Sequence, residues 1–268
     1  MIESVYGEWL CLDEAAPAPG AWNMAVDDYL FRTLTSIPRT VLRFYRWKRP
    51  TASLGYSQRI NKVIDIEYCR LNGIDVVRRM TGGKLVLHDR EVTYSITSSD
   101  ESLFGSTVLD SYRKISEGLM CGLKRMGLHA YLAEKAPSEY IHGNLPCFSY
   151  PSRHEVEISG RKVIGSAQKR EGGKFMQHGS IPLQDDDERL RAVSLLTDED
   201  SSEIRMLPLS LALGDSVDFS WVVEKLKAGI IDFFKVELKP FKLAAREIEE
   251  IEKIQRERYG SEGWTCLR

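Results

Sequence analysis

GRKVIGSAQKREGGKFMQHGSIPL, residues 160–183, decides the fold, because it reads as two strands folded back on each other. Val163 and Ile164 open an extended run, KVIGSAQKR (162–170), and Gly172-Gly173 supplies residues that tolerate positive φ where a tight turn needs them. KFMQHGSIPL (174–183) then runs back alongside. Just upstream, HEVEIS (154–159) meets the first strand at Ser159-Gly160, a second turn, so three neighbouring antiparallel strands are expected.

Outward from this core, VLRFYRW (41–47) reads as a strand closed by Arg49-Pro50, and DVVRR (75–79) as another. KLVLHD (84–89) and EVTYSIT (91–97) are expected to be neighbouring strands after a Thr-Gly-Gly loop, and HAYLA (129–133) adds a short extended run. After Gly20, Trp22, Ala25, Val26, Tyr29 and Leu30 share one helical face, with Asp27, Asp28 and Arg32 opposite. A short helix in IDIEYCRLNG should end at Gly73. A longer helix over 109–126 carries Tyr112, Ile115, Leu119, Leu123 and Met126 and stops at Gly127. The C-terminal third reads as helical, with a stripe of Val222, Val223, Leu226, Ile230 and Phe234 and a more charged helix marked by Ile248, Ile251 and Tyr259. The fold class is α+β, a mixed and largely antiparallel sheet with helices packed on it. No repeat or long polar linker interrupts the pattern, so residues 1–268 are expected to form one domain.

Hydrophobic residues make up 43% and charged residues 28% of the 268, which suffices for a buried core. The net charge of -2 gives no general attraction to nucleic acid, although Arg78, Arg79 and Lys84 form a local basic cluster without a stacking motif beside it. Cys11, Cys69, Cys121, Cys147 and Cys266 are widely spaced and include no Cys-x-x-Cys, against a zinc cluster or a disulfide framework. The opening MIESVYGEWLCLDEA has acidic residues where a signal peptide has a basic start, and no run approaches the roughly 20 apolar residues of a membrane span. A cytoplasmic protein with reduced thiols and no membrane partner is expected.

Three segments carry residues poorly suited to plain packing. In RRMTGGKLVLHDREVTYSI (78–96), Gly82-Gly83 admits close approach of a ligand to the backbone, or is only a turn. In residues 160–183, Lys162 beside Val163 and Ile164 is either a partly desolvated lysine fit for proton transfer or a solvated edge residue. Gly165-Ser166-Ala167 is small for a strand and leaves room near the backbone. In GNLPCFSYPSRHEV (143–156), Cys147 lies in a loop between Pro146 and Pro151, whereas Cys69 and Cys121 fall within amphipathic helices. A loop thiol near a lysine suits a nucleophile; an inert thiol is the alternative.

RRMTGGKLVLHD, GRKVIGSAQKR and QHGSI, in that order, resemble the biotin/lipoate protein ligase family. PCFSYPSRHEV followed by GRKVIGSAQKR is similar to its cysteine-using octanoyltransferase branch and that branch's amidotransferase relatives. NMAVDDYLF (23–31) and LRFYRWKRPTASLGYSQ (42–58) match the family's opening helix and strand, and RERYGSEGWTCLR (256–268) its closing segment. The resemblance implies a catalytic domain like those of class II aminoacyl-tRNA synthetases and biotin synthetases, without an accessory C-terminal domain. It implies that Cys147 is the acylated nucleophile and that Lys162 activates it. It further implies that Arg79, Thr81, Gly82, Gly83, His88, Gly165, Ser166, Ala167, His178 and Gly179 line an acyl pocket. Lys84 departs from the Gly or Arg usual at that place.

The implied reaction moves octanoyl from an acyl carrier protein thioester to a lysine of a lipoyl domain, such as glycine cleavage H protein or a 2-oxoacid dehydrogenase subunit. No cofactor or metal is required, because a thioester is already activated. The alternatives are an ATP-dependent lipoate-protein ligase catalytic subunit, whose relatives carry an Asn-Asp pair where this chain has PCFSYPSRHEV, and an amidotransferase acting between lipoyl domains. A biotin ligase lacks support without a GRGR-type loop. A non-enzymatic module binding acylated carrier domains would tolerate loss of Cys147.

Overall fold

The computed structural model describes residues 7–14, 16–35, 39–133, 155–195 and 207–267. Its strands are β1 (Gly7–Asp13), β2 (Thr40–Tyr45), β3 (Thr51–Leu54), β4 (Asp75–Arg78), β5 (Val86–His88), β6 (Glu91–Ser98), β7 (Tyr131–Leu132), β8 (Val156–Ile158), β9 (Arg161–Glu171), β10 (Lys174–Pro182) and β11 (Val236–Pro240). Eight form one sheet in the order β11-β1-β2-β6-β10-β9-β8-β7, and three form a second in the order β4-β3-β5. In the large sheet β1 pairs parallel with β2 and β11, and the remaining neighbours pair antiparallel. The fold is α+β.

The expected β8-β9-β10 meander forms, and its turns use the backbone that the glycines permit. Ser159 and Gly160 sit at φ of 51° and 73°, and Gly172 and Gly173 at 59° and 75°. The helices stop as their sequence dictates: Gly73 and Gly127, just past the helices Ile66–Leu71 and Val108–Lys124, both have positive φ. Asp65 and Thr107 cap those two helices by accepting from the amides of Tyr68 and Asp110.

Alternation along β6 divides the molecule. Val92, Tyr94 and Ile96 join the main core with Ile115, Leu119 and Leu123 of helix Val108–Lys124 and Val222, Leu226 and Ile230 of helix Phe219–Phe234. Thr93, Ser95 and Thr97 are buried too. Ser95 donates to Asp27 of helix Gly20–Thr33, and Thr93 accepts from Trp47. One face of the sheet is therefore an apolar core, and the other carries a buried polar layer.

Four expectations are corrected. KLVLHD and EVTYSIT are not paired neighbours: β5 pairs with β3 in the small sheet, whereas β6 lies between β2 and β10. The chain changes sheets at Asp89-Arg90, where the Glu91 amide donates to the Asp89 carbonyl at 3.1 Å. Asp27 and Asp28 are not a solvated face: both are buried, Asp27 against Arg43 and Asp28 against Arg32 and Arg258. The C-terminal third is not all helix, because β11 extends the sheet beside β1. The basic cluster is not a surface patch. Arg78 is fully buried and donates to the carbonyls of Gly55, Tyr56, Gln58, Trp264 and Thr265, and Arg79 is buried as well. Among the described residues no helix is long and apolar enough to cross a membrane.

Candidate active site

The small residues of β9 face the expected partners on β10, with Ala167 opposite His178 and Ser166 opposite Gly179. Together with Arg79 and His88 they line one pocket, whose apolar wall includes Met24, Trp47 and Val86. Seven of the expected residues thus meet: Arg79, His88, Gly165, Ser166, Ala167, His178 and Gly179.

Gly179 is required by close approach. A Cβ there would stand 2.5 Å from Cε1 of Tyr94 and 2.8 Å from the Gly165 carbonyl oxygen, a backbone atom that cannot swing away. Gly179→Ala should therefore push β9 and β10 apart at the pocket, destabilising the fold by about 1–3 kcal/mol. Urea unfolding of the variant against the wild type checks this.

Thr81, Gly82 and Gly83 do not line the pocket; they sit in a loop that touches residues of its wall. The Thr81 hydroxyl lies 2.7 Å from Nε2 of His178. Gly83 has φ of +92°, and a Cβ on it would lie 2.8 Å from Nη2 of Arg79 and 3.6 Å from Cβ of Ala167. Gly82 and Gly83 are exposed on the outer side. Gly55 makes this position possible, since a Cβ there would fall 1.9 Å from the Gly83 carbonyl oxygen. Arg79 Nη2 donates to the carbonyls of Gly82 and Lys84 at 3.0 and 2.6 Å, while its Nη1 donates to the Ser53 carbonyl and hydroxyl. Lys84 thus enters the site through its backbone.

Two buried carboxylates stand behind the histidines. Nδ1 of His88 is 2.8 Å from Glu91 Oε1, its Nε2 is 2.8 Å from the Ser53 hydroxyl, and its ring stacks on Trp47 at 4.1 Å. Nδ1 of His178 is 3.4 Å from Asp27 Oδ2. Burial pushes the His178 pKa below its ordinary value, although Asp27 pulls the other way, so the imidazole is neutral at pH 7. Burial alone would raise the Asp27 carboxyl, but Arg43 and the His178 contact outweigh it and hold the group below the usual carboxylate range.

Lys162 does not line this pocket. It lies three residues before Gly165 on β9, fully buried, with Nζ 2.6 Å from Oε1 of Glu155, whose side chain is also fully buried. The solvated-edge reading of Lys162 is thereby excluded. Cys147 lies outside the described residues. Burial pushes the thiols of Cys11 and Cys69 up to about 11, with Asp13 and Asp65 adding to the effect, and burial raises Cys121 as well. These thiols stay protonated at neutral pH, as expected of packing residues.

Residues 19–231 match the model of the lipoyl protein ligase A/B catalytic domain. The chain belongs to this family. Octanoyltransferase LipM of Bacillus anthracis is 37% identical over 273 residues, spanning 96% of this chain and 97% of that protein. LipM of Staphylococcus aureus is 37% identical over 261 residues, spanning 91% and 93%. Among solved structures, the bi-partite lipoate protein ligase of Thermoplasma acidophilum superposes with a TM-score of 0.83 at 22% identity, covering 98% of each chain. Lipoate-protein ligase A bound with ATP gives 0.81 at 22%, covering 97% and 98%. The last two likenesses establish the shared fold.

Sequence reasoning missed Asp27, Glu91 and Glu155. Asp27 sits among apolar helix positions, where the buried Arg43 of β2 balances its charge. Glu91 begins an apolar strand three residues after His88, and Glu155 precedes Val156 at the start of a strand. A carboxylate directly beside a buried valine was the available signal in each case.

Proposed function

We propose that this chain is an octanoyltransferase of lipoate biosynthesis, which moves an octanoyl group to a lysine of a lipoyl domain through an acyl-cysteine on Cys147. One observation carries the reading. Its likeness to octanoyltransferases reaches 37% over 96% of the chain, whereas its likeness to ATP-binding ligases is one of fold at 22%. The chemistry of the site agrees, because pocket and buried lysine supply what thioester exchange needs.

The Cys147 thiolate attacks the carbonyl carbon of the octanoyl thioester, and the tetrahedral intermediate expels the carrier thiolate. The Lys162 ammonium, compensated by Glu155, gives a proton to that leaving sulfur, so the carrier departs as a thiol. In the second half the acceptor lysine amine attacks the acyl-cysteine. Lys162 takes its proton back from the attacking nitrogen as Cys147 leaves as thiolate, which restores the starting charges. Backbone amides of the 82–83 or 165–167 segments provide the oxyanion donors. The octanoyl chain lies in the pocket beside Met24, Trp47 and Val86, with each buried methylene worth roughly 0.8 kcal/mol. The donor is octanoyl-acyl carrier protein, and the acceptors are the H protein and 2-oxoacid dehydrogenase subunits.

The test is transfer without nucleotide. Octanoyl-acyl carrier protein and an apo lipoyl domain should give the octanoylated domain in the absence of ATP. Lipoate-dependent ATP–pyrophosphate exchange by the same preparation would replace this reading with a ligase.

A further inference from the structure

Loop 81–84 is held from two sides by the same device. On one side Asp27 receives Arg43 Nη1 at 2.7 Å, Ser95 Oγ at 2.8 Å and Tyr45 OH at 3.1 Å, and stands 3.4 Å from Nδ1 of His178. Nε2 of the same ring meets the Thr81 hydroxyl. On the other side Glu91 receives the hydroxyls of Thr93 and Ser180, the indole N–H of Trp47 and Nδ1 of His88. His88 meets Ser53, Ser53 meets Arg79, and Arg79 holds the carbonyls of Gly82 and Lys84. Each chain runs from a buried carboxylate through an imidazole and a hydroxyl to the backbone or side chain of one loop. Neither carboxylate lines the pocket.

We propose that Asp27 and Glu91 are positioning residues: each fixes the ring orientation and the Nδ1 proton of its histidine, and together they hold Thr81–Lys84 closed over Gly165–Ala167. A carboxylate only accepts, so it selects the ring nitrogen that carries the proton and leaves the opposite Nε2 to accept from Ser53 or Thr81. Four partners on each carboxylate leave it no freedom to reorient. The Ser53 hydroxyl accepts from Arg79, so its own proton is directed to His88. The loop so fixed carries Gly82 and Gly83, the two residues without side chains, and sets Gly83 against Arg79 and Ala167 of the pocket wall. That the pocket holds an acyl chain rests on the octanoyltransferase reading; the restraint of the loop does not.

The experiment uses the full chain labelled with 15N-histidine at pH 7.5, with the His178 resonances assigned by their loss in His178→Gln. Burial keeps His178 neutral there, so its two nitrogens report the tautomer directly. The wild type should show the proton on Nδ1. Asp27→Asn, whose amide can donate toward Nδ1, should move the proton to Nε2 and raise the KM for octanoyl-acyl carrier protein roughly tenfold with a smaller change in kcat. An unchanged tautomer or an unchanged KM overturns the proposal. Should Asp27→Asn fail to fold, Thr81→Val cuts the same chain at its far end and leaves Arg43 paired. Hydrogen exchange at Gly82 and Gly83 should then accelerate, and unchanged exchange overturns the proposal independently. A wild type that fails to transfer octanoyl defeats the function assigned above, while the tautomer and exchange results still decide the role of Asp27.

Discussion

Lys162→Met is expected to lower octanoyl transfer by roughly a hundred- to ten-thousandfold, the range lost with a general acid–base group. It is also expected to destabilise the protein by about 3–5 kcal/mol, because it breaks a fully buried ion pair and leaves Glu155 without the Lys162 charge. Both side chains are fully buried and 2.6 Å apart, so neither can recover solvation by turning outward. The two losses separate in a double variant. Lys162→Met with Glu155→Leu removes the carboxylate of the broken pair and should regain most of the stability, since a buried ion pair and an apolar pair of similar size are often comparable. Transfer should stay lost. Denaturant unfolding and single-turnover transfer, measured on the same preparations, give the comparison. A double variant that recovers both would make Lys162 a structural residue.

Cys147→Ala should lose more, on the order of a millionfold in kcat, the scale seen when a catalytic nucleophile is removed. Octanoyl-acyl carrier protein should still bind, because the substitution leaves the described lining of the pocket on β9, β10 and around Arg79 and His88 intact. Substitution by the buried thiols of Cys11 and Cys69 is closed off. Cys11 and Cys69 are buried with their pKa pushed up to about 11, so they hold almost no thiolate at pH 7.5. A transfer rate of Cys147→Ala within tenfold of wild type would remove the covalent mechanism, and Cys147→Ser, with its far weaker nucleophile, should resemble the alanine variant.

The meander over residues 154–183 was legible because local chemistry decides it: glycines at the turns and apolar residues between them. The pairing of β5 was not, because a three-residue strand carries no mark of its partner. Only the tertiary contacts of His88 with Ser53 and Trp47 explain why it joins β3. β11 was missed for a related reason. VELKP alternates weakly and follows a strongly periodic helix, and its parallel pairing to β1 spans most of the chain. Close approach along β9 was legible at Gly165-Ser166-Ala167, where small residues break strand preference, whereas Gly179 was implied only by the family resemblance. The carboxylates behind the pocket were not legible, since periodicity assigns a charged residue to water unless a buried partner is known. Asp27 has that partner in Arg43, which itself reads as an alternating strand residue.

The central claim is a covalent acyl-enzyme on Cys147, and intact-mass measurement tests it most directly. Incubation with octanoyl-acyl carrier protein, without ATP or acceptor, should add one octanoyl group to the chain, and peptide mapping should locate it on Cys147. The adduct should disappear on addition of an apo lipoyl domain as that domain gains the same mass, and it should never form on Cys147→Ala. An unmodified enzyme that nevertheless octanoylates the lipoyl domain, or a lipoyl domain modified only when ATP and a free fatty acid are supplied, would contradict the mechanism.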